Sequence, residues 1–380
     1  MGSPPPSSQR TRTAPSWRRP MLLILSVILL PISTAILLYH LNASHPMPDI
    51  TVRPNPSKHS FWLVHMEVIG LMELLGPEDL VHDPKNNVIY TGCSTGEIKQ
   101  FTLSRVASET VVTSVAYTGG RPLGLALGEQ GNLIVADADK GLLDVSLKGA
   151  IKVLATGAGG KQFKIPDGVD IAKDGMVYFT DASHKYSLDE YLLDILEGMP
   201  YGRLMSYNPK TKVTKVLLQD LYFANGVTIM PDQKALVFCE TSMARCRKYY
   251  IKGEKRGKIE KFVENLPGLP DNIHYDKDEG VYWIALSMDI MNFKNASLEC
   301  ATVEKNSDTM DSCPGKLIQT ANRYGGVLVV DSRGDTKTFY YDLDLSLISS
   351  VIRLKNFVYV GSFTYPYLLR LDLARYNTTN

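Results

Sequence analysis

Five cysteines in 380 residues are too few for a disulfide-stapled scaffold, and a chain this long does not need one to hold a core. Glycine (29) and proline (21) are too sparse for a collagen-like or low-complexity chain, given that 44% of residues are apolar. Charge of one sign is also missing. The formal net charge is +1, and Arg10, Arg12, Arg18 and Arg19 with no acid among residues 1–20 leave 37 basic against 40 acidic groups elsewhere. A near-neutral body has no electrostatic footprint for nucleic acid. No Gly-rich phosphate loop is present, and the seven histidines show no zinc spacing. Nucleotide and zinc readings therefore fall away.

Long apolar runs are scarce too, which excludes a polytopic membrane protein. One run, from Met21 to Leu41, contains no Asp, Glu, Lys or Arg. At about 1.5 Å per residue it just spans a bilayer core of about 30 Å. Arg18 and Arg19 precede it, so the positive-inside rule predicts a type II single-pass anchor with the remaining chain in the secretory lumen. A cleaved signal peptide is the competing reading, but the leading segment is long and no small-x-small cleavage site follows. The expected organisation is a disordered cytosolic tail over 1–20, an anchor over 21–41, a linker over 42–59 and a folded body over 60–380. Endoplasmic reticulum is the expected compartment, with the vacuole as alternative. Asn42, Asn295 and Asn377 each head an Asn-x-Ser/Thr triplet suited to lumenal glycans. Cys300 and Cys313 flank a polar loop and can close it. Cys239 and Cys246 flank a short turn, where a bridge and two buried thiols remain equal alternatives; Cys93 is left over.

From residue 60 onward, short β-branched and aromatic runs alternate with Gly, Asp, Asn and Pro turns. Pairs of runs such as 88–92 with 98–103, and 236–240 with 245–251, recur about six times at roughly the spacing of a propeller blade. The fold class predicted is all-β, a six-bladed β-propeller. Residues 61–72 are expected to close the ring beside the strands ending at Leu373. Ser187 and Glu190 form a capping box ahead of Leu188, Tyr191, Leu192, Ile195 and Leu196, an amphipathic helix stopped by Gly198. It either packs on the propeller face or covers the central cavity as a lid or second membrane contact.

Oxygen ligands stand at equivalent places in the repeat. Glu78 lies in Gly-Pro-Glu-Asp-Leu, Asp167 in Pro-Asp-Gly-Val-Asp, Asn225 in Phe-Ala-Asn-Gly-Val, and Asp271 with Asn272 in Leu-Pro-Asp-Asn-Ile. Each is expected just before a strand, where Pro-Asp-Gly and Asn-Gly also serve as ordinary turns. In a radial fold such positions converge on the axis, where carboxylates and carboxamides suit one hard divalent cation.

These motifs, with Phe179-Thr-Asp-Ala-Ser183, Asp194-Ile-Leu-Glu-Gly198, Gly202-Arg-Leu-Met205, Cys239-Glu-Thr241 and Arg245-Cys-Arg247, resemble the plant strictosidine synthase-like proteins. The resemblance covers nearly all of residues 60–373. The superfamily also holds the paraoxonases, the gluconolactonase group and an adipocyte membrane-associated protein, and it implies a six-bladed propeller. In the paraoxonase and gluconolactonase branches it implies a calcium or similar ion held at Glu78, Asn225 and Asp271, with Asn272 used in paraoxonases. Asp167 stands where those enzymes carry Asn. The paraoxonase histidine falls at Leu123, so that base is missing. No Glu occurs between Gly334 and Leu354, where strictosidine synthase carries its catalytic one; Ser346 falls there instead. His184 stands where a small residue is expected.

The resulting expectation is a divalent-metal-dependent hydrolase of small esters or lactones, with Asp271 or Asp167 accepting the proton of water. A Pictet–Spengler condensation in alkaloid biosynthesis, and a non-catalytic binding propeller with a structural ion, are the alternatives. Expected partners are a small-molecule substrate and the membrane.

Overall fold

The computed structural model describes Gly2 and residues 60–62, 66–289, 325–342 and 345–376. The apolar run 21–41, the triplets at Asn42, Asn295 and Asn377, and the Cys300/Cys313 pair lie outside them. No helix among the described residues is long and apolar enough to cross a membrane. The chain divides into two units, Met1–His45 and Pro46–Asn380, and the strands described all belong to the second.

Six sheets of four or five strands follow one another along the chain. Their first strands, Leu80–Asp83, Pro122–Leu127, Pro166–Ile171, Ala224–Ile229, Gly268–Asp276 and Ile348–Leu354, touch in sequence and close a ring from the sixth back to the first. The chain is thus the six-bladed propeller that the repeat predicts.

Inner and middle strands are apolar on both faces because each blade is covered on both sides. Successive side chains point to opposite faces, so alternate residues serve neighbouring interfaces. Val88 and Tyr90 join Leu133 and Val135 between the first and second blades. Ile89, between them in sequence, packs with Tyr359 and Leu368 of the sixth blade. Ile134 and Ala136 meet Val177 and Phe179 of the third blade in the same manner.

Residues 61–72 do not form one strand, and this corrects the expectation. Glu67–Ile69 pairs antiparallel with Leu368–Asp372 and completes the sixth blade. Ser60–Trp62 instead adds in parallel to Thr336–Asp342, the outer strand of the fifth. Aromatic and β-branched content marks extended backbone without saying which edge it joins. Cys239 and Cys246 stand opposite each other on adjacent strands and form a disulfide, while Cys93 is buried and free.

Candidate functional site at the propeller axis

Glu78 stands just before its strand, Leu80–Asp83, as expected, but the other ligand-bearing motifs are not turns preceding strands. Asp167, Asn225, Asp271 and Asn272 lie inside their inner strands, where the pairing register shifts. The shifts fall between Pro166 and Val169, between Ala224 and Val227, and between Pro270 and Ile273. The second and sixth blades carry shifts of their own, at Pro122/Leu125 and Ile348/Ser350. A bulge leaves a residue unpaired and re-aims its side chain. Repeated around the ring, it turns Leu123, Asp167, Asn225 and Asp271 toward one end of the axis.

The glycines in these motifs are required by packing. A Cβ on Gly168 would stand 2.8 Å from Gly226 Cα, and one on Gly226 would stand 2.6 Å from Asn272 Cα. Neighbouring inner strands therefore touch backbone to backbone, which only glycine permits.

The resulting end of the axis is buried and short of donors. Glu78 Oε1 accepts a hydrogen bond from Asn272 Nδ2 at 2.9 Å. Glu78 Oε2, Asp167 Oδ1, Asn225 Oδ1 and Asp271 Oδ1 are buried with no hydrogen-bonding partner. Buried polar atoms are nearly always satisfied, so four orphans on four blades need an explanation. Burial first, and then the neighbouring carboxylates, push Glu78, Asp167 and Asp271 well above the usual carboxylate range. Arg121 lends positive charge to Glu78, but its guanidinium is committed to the Gly76 and Phe363 carbonyls at 3.0 and 3.2 Å.

Among the described residues, no three His, Cys, Asp or Glu side chains stand close enough to form a ready-made metal cluster. The axial set depends on the amides of Asn225 and Asn272 as well as on carboxylates. Its donors are all oxygen and its orphan atoms are acceptors, so in chemistry the set fits a hard divalent cation. Leu123, at the position of the missing histidine, is buried in the apolar cluster at this end. His184 is not brought to the axis; its ring nitrogens face the Tyr201 carbonyl and Lys161 Nζ. Ser346 is buried, and its backbone amide donates to the Tyr365 phenol at 2.9 Å.

The capping box of Ser187 and Glu190 is present, leading through a turn at Leu188–Glu190 into helix Tyr191–Glu197, which Gly198 ends in the left-handed region. Ile195 packs in one cluster with Leu123, Ile165, Phe223 and Leu269, residues that flank the axial bulges. The Tyr191 ring stands 5.8 Å from that of Phe363. The helix therefore covers the end of the axis that holds the orphan oxygens.

At the other end the inner strands open into a cavity of about 1220 Å³, lined among others by Asp79, Asp170, Asn272 and His274. Sequence reasoning missed the network at its base. Asp79 Oδ1 meets His274 Nε2 at 2.8 Å and the Ser350 hydroxyl at 2.9 Å, and Asp79 Oδ2 accepts from Leu125 N at 3.0 Å. Adjacency to Glu78 was the only signal in the sequence for Asp79.

A family model described as strictosidine synthase matches residues 167–254, and one described as strictosidine synthase-like, N-terminal, matches residues 62–101. Protein STRICTOSIDINE SYNTHASE-LIKE 6 of Arabidopsis thaliana is 42% identical over 370 residues, covering 93% of this chain and 96% of that one. The adipocyte plasma membrane-associated protein of Rattus norvegicus is 34% identical over 319 residues, 79% of this chain and 84% of that one. Among solved structures, a gluconolactonase from Xanthomonas campestris superposes with a TM-score of 0.57 at 14% identity, over 82% of this chain and 91% of its own. The calcium-binding protein regucalcin from Agrobacterium tumefaciens also gives 0.57, at 13% identity, over 82% and 95%. These two likenesses show the propeller fold. The extended identity to the plant relatives, with both family models in agreement, shows that the chain belongs to the strictosidine synthase-like family.

Proposed function

We propose that the protein is a divalent-cation-dependent hydrolase of small esters or lactones, working at the helix-covered end of the axis. The observation that carries this reading is the set of four orphaned oxygens on Glu78, Asp167, Asn225 and Asp271. Glu78, Asn225 and Asp271 would hold the cation, with Asn272 and Asp167 beside them, and calcium is the first candidate. A cation bound there supplies Lewis-acid polarisation of a substrate carbonyl. Asp271 holds the proton removed from water, with Asp167 as the alternative, since burial raises the proton affinity of both carboxyls. Asn272 orients Glu78 through its amide. Tyr191 and Ile195, on the covering helix, keep bulk water from the oxygens.

The gluconolactonase and regucalcin likenesses support this reading at the level of fold. The Cys239–Cys246 bridge supports an oxidising compartment and hence the expected lumenal location, with the apolar run 21–41 meeting the membrane. The test is turnover of a lactone and ester panel by the purified full chain in detergent. Activity should vanish in chelator, return with calcium, and be absent from Asn225→Ala. Undiminished turnover by Asn225→Ala would overturn the assignment.

A further inference from the structure

Helix Tyr191–Glu197 carries a group that its covering role does not explain. Asp194 is only 1% exposed, and both its carboxyl oxygens lack a hydrogen-bonding partner. The Ser183 hydroxyl lies near enough to favour the charged form, without making a well-formed hydrogen bond, but burial outweighs it. The charged groups facing Asp194 are Asp181, Lys185 and Glu197, and each is engaged elsewhere. Arg203, on the strand after the helix, is spent on Asp181 through Nε at 3.0 Å and through an Nη contact, and on the Ala158 and Gln162 carbonyls. Lys185 Nζ reaches both Glu197 oxygens at 2.8 and 2.6 Å and Tyr201 Oη at 3.0 Å. Among the described residues, no cation is left to neutralise an ionised Asp194.

The helix is also marked off at both ends. It enters through the Ser187 capping box and leaves through Gly198 in the left-handed region, followed by Pro200. Outside its apolar face it is latched by Lys185 and Glu197, with Tyr186 Oη also donating to Glu197 at 2.7 Å. That latch is partly exposed, so its ion pair adds little stability.

We propose that helix Tyr191–Glu197 is a proton-controlled lid, seated over the axial oxygens while Asp194 is neutral and released when Asp194 ionises. Burial, the largest cause, raises the seated carboxyl from its ordinary 3.8 to about 7. Once the helix lifts, water solvates the group and restores the ordinary value. Seating therefore takes up a proton. The seated state is favoured in acid, loses ground as pH rises through the window between those two values, and is flat above it. The direction is set by the geometry and needs no bound cation, so it can stand if the hydrolase reading falls.

The experiment is amide hydrogen exchange of the full chain in detergent, followed on the peptide spanning residues 188–198 from about pH 5 to about pH 8 and corrected for intrinsic exchange. Protection in wild type should fall up to about tenfold per pH unit below about pH 7, while the inner strand Pro166–Ile171 stays level. Asp194→Asn, an uncharged near-isostere, should give a protected and level profile. Glu197→Gln weakens the latch, so it should lower protection at every pH with the slope retained. A level wild-type profile overturns the proposal, and that measurement needs no variant to fold. A slope that survives in Asp194→Asn, or disappears in Glu197→Gln, overturns it equally, because the proton would then belong to another group.

Discussion

Glu78 and Asp79 are neighbours in sequence, equally buried, and serve opposite ends of the same axis. Asp79 is saturated, with Leu80 N, His274, Ser350 and Leu125 N all on its two oxygens. Among the described residues, the Glu78 carboxylate accepts from Asn272 alone and leaves Oε2 bare. A buried carboxylate can be kept in place by protein donors or by a ligand, and here the two solutions sit one peptide apart. The saturated end joins the first, second, fifth and sixth blades into a clasp. The unsaturated end is maintained at a cost in stability, as expected of a site that waits for a positive charge.

That contrast can be broken experimentally, starting where the effect is largest. Asp79→Ala removes one partner of a buried pair and should destabilise the protein by about 3–5 kcal/mol in denaturant unfolding, with or without calcium. Calcium at about 100 times its dissociation constant should stabilise wild type by roughly 2.7 kcal/mol, seen as a thermal shift that Asn225→Ala abolishes. If Asp79→Ala instead removed the calcium response while leaving stability intact, the roles of the two ends would be exchanged.

The pH dependence sharpens the same comparison. Raised carboxyls at Glu78, Asp167 and Asp271 stabilise the ion-stripped fold in acid, and that contribution is lost as pH rises above about 4 toward their folded values. Each net proton is worth at most about 1.4 kcal/mol per pH unit, and calcium should flatten this part of the profile. At the other end, burial opposes protonation of His274 but the Asp79 charge overrides it and raises the pKa. Its contribution is present below about pH 6.5, fades above it, and should persist in calcium. The smallest effect expected is Glu78→Gln in chelator. Removing an under-satisfied buried charge should leave stability unchanged or raise it by about 1 kcal/mol while ending the calcium response.

Much of the axial site was legible because its residues ride on the repeat. Pro-Asp-Gly, Ala-Asn-Gly and Pro-Asp-Asn occupy one register on three successive inner strands, and the structure brings their oxygens to one end. The local chemistry was read less well. Turn statistics place Asn-Gly in a loop, whereas Gly226 is in a strand because Asn272 lies against it. Asp79 could not be assigned, since its partners His274 and Ser350 lie 195 and 271 residues away. Helical periodicity gave the apolar face of Tyr191–Glu197 correctly, but periodicity carries no address. Only the packing of Ile195 with Leu123 and Leu269 places that face over the axis.

The sixth blade has a consequence for how the chain is made. Its outer strand, Glu67–Ile69, precedes every inner strand in sequence, yet it pairs with Leu368–Asp372. Arg370 grips Glu67 across 303 residues and also reaches the Ser104 and Arg105 carbonyls. Closing a loop of that length rather than one of about 30 residues costs only about 2 kcal/mol more in chain entropy. The larger toll is one of order: during synthesis this early strand must wait, unpaired, until nearly the whole chain has emerged. Until then that strand has no partner and the apolar face of the first blade around Ile89 lacks its cover from the sixth, the condition under which different molecules associate. A lesion that removes Arg370 or shortens the last strand should therefore show itself first as aggregation of newly made chains.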